Sequence, residues 1–374
     1  MPVKFIKKFT KWFFLVFNII CSIIFLLSCL ALFVAPSRWT AIGFLSLSVP
    51  YISTILLLFI IFWLILKPRL ALISIITLLI GWKQLSVLIA WHPSKTFNEQ
   101  KSDTAFRVLT WNIRGLYGMS TNYYTQERNR TEIVELVTRL DADVVCLQEF
   151  NNSTNMKDPN ADNIGLFTKK YPHYFFSEDV KSKTGDYAAG VIIFSKQPII
   201  NTGKIKYEGK DAESIIYVDI LRGRDTIRIF TTHLQSFEFN GEDYANIEKI
   251  KDPDTEVIKA SEGIYSKMRK AFVLRSGQVA IVKNELEKNT YPSVICGDFN
   301  DVPNSYTYFT IRGDRQDAFL KSSFGFGRSF NALAPTLRID YIFPDENFIV
   351  NQFEMVDEGL SDHHLLLTNL TLKK

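Results

Sequence analysis

Eight polar residues stand where apolar stretches of this sequence begin or end. Asn112 closes FRVLTWN, Glu149 closes DVVCLQE and His233 closes IRIFTTH. Asp298 and Asn300 follow SVICG, Asp340 interrupts LRIDYIF, and Asp362 and His363 precede LLLTNL. A charge at the end of a buried strand costs stability unless it is paired or liganded. So many of them point to one shared site at one edge of the sheets. Carboxylates with amides offer hard oxygen ligands, which suit Mg²⁺, with Mn²⁺ as a substitute, and not a zinc cage. A phosphoryl oxygen grows more negative in its transition state, where a metal ion and neutral donors such as Asn112 and Asn300 would stabilise it. Hydrolysis also needs a base for water. His363 suits that task if a carboxylate orients its ring, and Asp340 is the candidate orienter. His364 would face the opposite side of the strand and is read as structural.

These residues need a scaffold of strands. FRVLTWNI (106–113), DVVCLQEF (143–150) and AAGVIIFSK (188–196) are strand-like, the latter two as continuous apolar runs of strands buried on both faces. SIIYVDIL and TIRIFTTHL flank Arg222-Gly223-Arg224-Asp225 as a hairpin. SVICGDF, RIDYIF, FIVNQFEMV and HLLLTNLTL complete the strands. Residues 126–140 place Ile133, Val137 and Leu140 on one helical face, and 262–288 read as one long helix. Many strands with few long helices between them imply packed sheets with helices outside. Segment 235–262 is polar and poorly patterned, either a loop over a site or a surface excursion. Cys146 and Cys296 sit inside strands without metal-ligand spacing and read as small buried hydrophobes.

WNIRG, LQEF, TTHL, GDFND, RIDYIF and SDHH occur in that order over residues 104–374. Together they resemble the endonuclease/exonuclease/phosphatase superfamily, in a membrane-anchored form. The resemblance implies a deoxyribonuclease I-like fold: α/β, a two-sheet β-sandwich flanked by helices in four αββα layers. It implies a metal-binding role for Glu149 with Asn112 beside it, and for Asp362 before the histidine. Asp298 and Asn300 would contact nucleophile and phosphate, Asp340 and His363 would activate water, and His233 would contact phosphate or assist the leaving group. Deoxyribonuclease I supports this last histidine with a second glutamate, whose counterpart the sequence does not identify. The family shares a mechanism and not a substrate. The expected partner is a phosphoester of nucleic acid or of a phospholipid head group, with no protein partner; a non-catalytic membrane scaffold is the reading from another class. Lys181, Lys183, Arg222, Arg224, Lys267, Arg269 and Lys270 are candidates for contacts to nucleic-acid phosphates, although a solvated face explains them better. The net charge of +4 does not by itself argue for nucleic acid.

The first ninety residues are of another kind. Three apolar stretches, 12–35, 42–66 and 70–91, are expected as transmembrane helices, followed by a polar linker over 93–103 and the catalytic domain over 104–374. The first stretch is too long for a cleaved signal peptide. The third carries Lys83 and Gln84. Lys4, Lys7, Lys8 and Lys11 precede the first stretch, and Lys67 and Arg69 separate the second from the third. The excess of basic residues places the N-terminus in the cytoplasm. Three crossings would put the catalytic domain on the extracytoplasmic side of a plasma or inner membrane; two would leave it in the cytoplasm.

Overall fold

The computed structural model describes residues 2–93, 97–98, 100–102, 104–119, 122–158, 161–209, 213–249 and 255–373. The N-terminal part comprises α1 (Pro2–Ser28), α2 (Ala41–Leu66), α3 (Pro68–Ile80), α4 (Trp82–Leu85) and β1 (Ala90–Trp91). The first half of the sheet domain runs β2 (Phe106–Asn112), α5 (Tyr123–Arg139), β3 (Val144–Ser153), α6 (Asn163–Thr168), β4 (His173–Phe176), β5 (Val180–Lys181) and β6 (Tyr187–Ser195). Next come β7 (Ile199–Lys206), β8 (Ser214–Arg222), β9 (Asp225–His233), α7 (Gly241–Lys249), α8 (Thr255–Lys288) and β10 (Ser293–Asp298). The chain closes with α9 (Tyr306–Arg312), α10 (Ala318–Ser322), β11 (Phe324–Gly325), β12 (Asp340–Pro344), β13 (Phe348–Val356) and β14 (Leu365–Leu372).

Two sheets face each other. One has the order β13-β14-β2-β3-β6-β4, with β5 also on β6; the other has the order β12-β10-β9-β8-β7. Successive strand residues point to opposite faces, and here both faces are covered. Val108, Val144, Cys146 and Ile193 pack inward against Ile216, Val218, Ile229, Val294 and Cys296 of the other sheet. Their neighbours Leu109, Val145, Leu147 and Ile192 point outward to Ile133, Leu136 and Val137 of α5. On the far side Phe230, Ile295, Tyr341 and Phe343 meet Val279 and Val282 of α8 and Tyr308 and Ile311 of α9. The result is the expected αββα sandwich, with Cys146 and Cys296 as free, buried thiols. Segment 235–262 divides into an extended stretch, α7 and the first turns of α8; its residues 250–254 lie outside the described residues.

α1 and α2 pack antiparallel, with Phe14 against Phe62 and Phe17 against Phe59. α3 runs alongside α1 in the same direction. The Asn18 amide donates to Ser74 Oγ at 2.8 Å, and a Cβ on Gly81 would run into the Phe25 ring. Segments Lys8–Leu32 and Ala41–Leu66 are long and apolar enough to cross a membrane. The third stretch departs from the single helix expected over 70–91. Its long helix covers only Pro68–Ile80, 13 residues, or about 20 Å against the roughly 30 Å of a hydrocarbon core, and the four-residue α4 follows after Gly81.

Past Gly81 the chain turns into the sheet domain. The Asn304 amide donates to the carbonyl and side-chain oxygens of Gln84 at 2.6 and 2.8 Å. Val87 is buried with Phe230 and Tyr308, and β1 pairs with β11. The Gln84 side chain, which would interrupt a span in lipid, instead finds partners in protein, while Lys83 is exposed. At the same end of the helices, Phe44 of α2 stacks on Tyr265 of α8 with ring centroids 5.0 Å apart, and Gly43 lies against the Phe272 ring.

Candidate active site

The edge of each sheet contributes one wall. In the five-stranded sheet, Asp298 at the end of β10 is level with His233 on β9 and with Asp340 on β12. This row depends on Gly297, at φ 139°, where a Cβ would strike the Thr232 carbonyl. Only glycine allows that approach without strain. In the other sheet, Asn112 ends β2 beside Gln148 of β3. Glu149 then occupies a bulge between Leu147 and Phe150, with φ at 51°. The bulge turns its side chain out of the sandwich, 42% exposed, while Phe150 returns to the core. His363 hangs from the bridge that precedes β14, with its carbonyl held by Trp111 Nε1 at 2.8 Å.

The side chains converge on Asp298. Its Oδ2 accepts from Asn112 Nδ2 at 3.1 Å and lies 3.6 Å from His233 Nε2 and 3.7 Å from His363 Nε2. His363 Nδ1 lies 3.0 and 3.2 Å from the two Asp340 oxygens, and Ser329 Oγ donates to Asp340 Oδ2 at 2.7 Å. Asn112 Nδ2 also donates to Glu149 Oε1 at 3.0 Å, and His233 Nε2 lies 3.9 Å from that oxygen. The Asn300 N–H donates to Asp298 Oδ1 at 2.8 Å, while its amide holds the Leu234 carbonyl at 2.9 Å. Asp362 lies at the rim, 3.6 Å from the Arg114 guanidinium. One pocket is lined by Glu149, His233, Asp298, Asn300, Asp362 and His363, and Phe237, Phe239, Tyr244 and Phe330 complete its wall. The segment after residue 235 therefore does cover the site. His364 has other partners, Asn331 at 2.7 Å and Asp357 at 3.2 Å.

Acidic neighbours govern the two histidines. Burial works against a charged imidazole at His363, but the carboxylates of Asp340, Asp298 and Asp362 outweigh it and push its pKa up to about 10. His233 is likewise disfavoured by burial and raised to about 10 by Glu213, Asp298 and Glu149. Burial raises Asp340 to about 6 against the opposing effect of His363.

Glu213 is the residue that sequence reasoning missed. Its Oε1 lies 2.8 Å from His233 Nδ1, where the expected second glutamate would stand. The signal was in the hairpin: counting back from the Arg222–Asp225 pair brings His233 level with Ser214, one residue from Glu213. Ser329 was missed as well. It lies in a segment without apolar periodicity, so only the fold brings it to Asp340.

The sequence matches the model of the endonuclease/exonuclease/phosphatase family over residues 109–363. The chain belongs to the endonuclease/exonuclease/phosphatase family. It is accordingly a hydrolase of phosphoester bonds. Residues 11–88 match a domain of unknown function, DUF8431. No curated protein matches the chain. Among solved structures, an endonuclease/exonuclease/phosphatase from Beutenbergia cavernae DSM 12333 is 19% identical with a TM-score of 0.51, over 72% of each chain. The human Nocturnin catalytic domain with bound sulfate is 16% identical with a TM-score of 0.50, over 72% of this chain and 94% of that one. At these identities the two neighbours attest the fold. Asp298, Asp340 and His363 also form a group that could hold a metal ion, with ligand atoms within 4.8 Å of one another.

Proposed function

We propose that this family member is a membrane-anchored phosphoester hydrolase in which His363 deprotonates the attacking water and Mg²⁺ is the resident cation. The observation that carries the reading is the placement of Asp298 Oδ2 between His363 Nε2 at 3.7 Å and His233 Nε2 at 3.6 Å, with Asn112 at 3.1 Å. A water held by Asp298 would face His363 Nε2. Asp340 fixes the other ring nitrogen, so the imidazole presents a defined edge and its cationic form is stabilised after proton transfer. His233, kept protonated by Glu213, donates to a phosphate oxygen or to the leaving oxygen. Asn300 gives one amide hydrogen to the Leu234 carbonyl and keeps the other as a neutral donor, while Asn112 spends both of its own on Glu149 and Asp298.

Glu149 and Asp362 line the pocket, and buried Asn112 is hydrogen-bonded to Glu149; together they supply oxygen donors that fit Mg²⁺. The tighter group of Asp298, Asp340 and His363 fits less well as a cage, because both Asp340 oxygens already serve His363 and Ser329. When bound, the cation would neutralise the phosphate and the surrounding carboxylates. Compensating those charges would lower the His363 pKa, so that the neutral imidazole could take a proton from water nearer neutral pH. The test is hydrolysis of bis(p-nitrophenyl) phosphate by the full chain in detergent. Activity should vanish in EDTA and return with Mg²⁺, and turnover unaffected by EDTA would sink the cation's role.

The end of the helices that meets the domain supports one orientation. Lys67 and Arg69 lie at the end where α1 starts, and Gly43, Phe44 and Gln84 meet the domain at the other. If the basic end is cytoplasmic, the domain is extracytoplasmic even though α3 is short. Exposed Lys183, replaced by cysteine, should react with an impermeant maleimide on intact cells. Labelling only after lysis would place the domain in the cytoplasm.

A further inference from the structure

A second cavity, of about 410 Å³, adjoins the catalytic pocket and shares Phe237, Phe239, Leu333 and Leu337 with it. Its far side is formed by Leu47, Pro50 and Tyr51 of α2 and by Ile264 and Met268 of α8. The size lies within the roughly 300–1,000 Å³ of cavities that take small molecules. Two of its polar members are engaged within the protein: Ser46 Oγ donates to the Ile42 carbonyl at 2.9 Å, and Asn304 Nδ2 donates to Gln84, while Asn304 Oδ1 is buried without a hydrogen-bond partner. The remaining lining is close to purely hydrocarbon and aromatic.

This cleft continues two features already described. At one end lie His233, Asp298 and His363. At the other lies α2, whose later turns expose Leu57, Leu58, Ile61, Leu64 and Ile65, as a lipid-facing helix does. Exposed Trp39, Tyr51, Tyr265 and Trp82 gather where helices and domain meet, the residue types that favour a membrane–water interface. Three of the seven basic residues considered for nucleic-acid phosphates, by contrast, are already engaged within the chain. Lys181 pairs with Glu178, Lys267 with Asp243 at 2.5 Å, and Arg222 donates to the Thr104 and Ala105 carbonyls.

We infer that the substrate is a phospholipid of the membrane in which the chain is anchored, its phosphoester in the catalytic pocket and a hydrocarbon chain in the cleft. The inference rests on the hydrolase reading and names the substrate of the same site. A hydrocarbon chain leaving the bilayer for this cleft exchanges one apolar environment for another. Lifting the phosphate to the catalytic residues then requires no exposure of that chain to water.

The test places the full chain in nanodiscs of phosphatidylethanolamine and phosphatidylglycerol, with a diazirine near one tail terminus of the phosphatidylglycerol. Illumination should give adducts on peptides carrying Phe239 and Met268. The paired replacement of Leu47→Trp and Met268→Trp, which fills the cleft, should reduce these adducts and lower lipid hydrolysis at least tenfold. Hydrolysis of bis(p-nitrophenyl) phosphate by that variant should stay within twofold of wild type. Adducts confined to the outer faces of α1, α2 and α3 in the wild-type chain would overturn the inference, and that measurement does not depend on the variant folding. Cleavage of plasmid DNA or RNA without cleft adducts would overturn it in favour of a nucleic acid. If the soluble ester is cleaved but the cleft takes no lipid, only this inference falls. If the cleft takes lipid and no ester is cleaved, the hydrolase reading falls instead.

Discussion

Replacing His363 by alanine should lower kcat by roughly 10²- to 10⁴-fold, the usual contribution of a positioned general base. The loss should appear in kcat more than in KM, because the imidazole acts on the water and not on the leaving part of the substrate. Removing the ring leaves Asp340 buried, with Ser329 Oγ at 2.7 Å as its remaining side-chain donor. His363→Gln keeps a donor in that place and guards against misreading a folding defect as lost chemistry. Both variants should retain the wild-type circular dichroism spectrum and both should be nearly inactive on bis(p-nitrophenyl) phosphate. Turnover within threefold of wild type in a folded His363→Gln chain would remove His363 from the role of base. Asp340→Asn tests the same pair from the other side. It preserves shape but withdraws the charge that holds the ring, and a smaller loss is expected.

Removing residues 1–103 should destabilise the sheet domain severely, although the sequence suggests a domain boundary there. Arg338 is buried, pairs with Asp317 at 2.6 Å and donates to the Val87 carbonyl at 2.8 Å. Its neighbour two residues on is Asp340. Without residues 84–91, that guanidinium loses an acceptor, Asn304 loses Gln84, and β11 loses its partner strand. A buried donor left unsatisfied costs about 1–3 kcal/mol, and exposing the site of a buried valine adds about 1.5–3 kcal/mol. Against a total stability of about 5–15 kcal/mol, these losses are large. A chain beginning at Gly81 keeps every one of these contacts. Thermal unfolding should show the chain that begins at residue 104 melting roughly 10 °C or more below the one that begins at Gly81, or failing to accumulate. Equal melting temperatures would mean that the α4–β1 segment is passively attached.

The effect of that segment marks the limit of what a sequence alone conveys here. LALISIITLLIGWKQLSVLIAW is apolar enough to suggest a third span, and nothing local distinguishes a residue buried in lipid from one buried in protein. The distinction comes from Asn304 and Arg338, more than 200 positions away, which supply hydrogen bonds to Gln84 and Val87. The same reasoning applies to Glu149. Its place in LQEF matched the family pattern, but the bulge that turns it into the pocket exists only once β3 is paired with β6.

The sequence by itself determined packed sheets with helices outside, because continuous apolar runs such as VVCLQEF and AAGVIIFSK are strands covered on both faces, and the two-sheet sandwich is what the family resemblance implies. It also determined the family and the order of its polar motifs. Asn112, Glu149, His233, Asp298, Asn300, Asp340, Asp362 and His363 each stand in or beside the end of an apolar run, so their side chains could be named before their distances were known. Tertiary structure alone decided that Ser329 holds Asp340, that α3 stops at Ile80, and that an apolar cleft joins α2 to the catalytic pocket. Each of these depends on contacts between residues distant in the chain, and hydrophobic periodicity reports which face of an element is buried without saying what covers it.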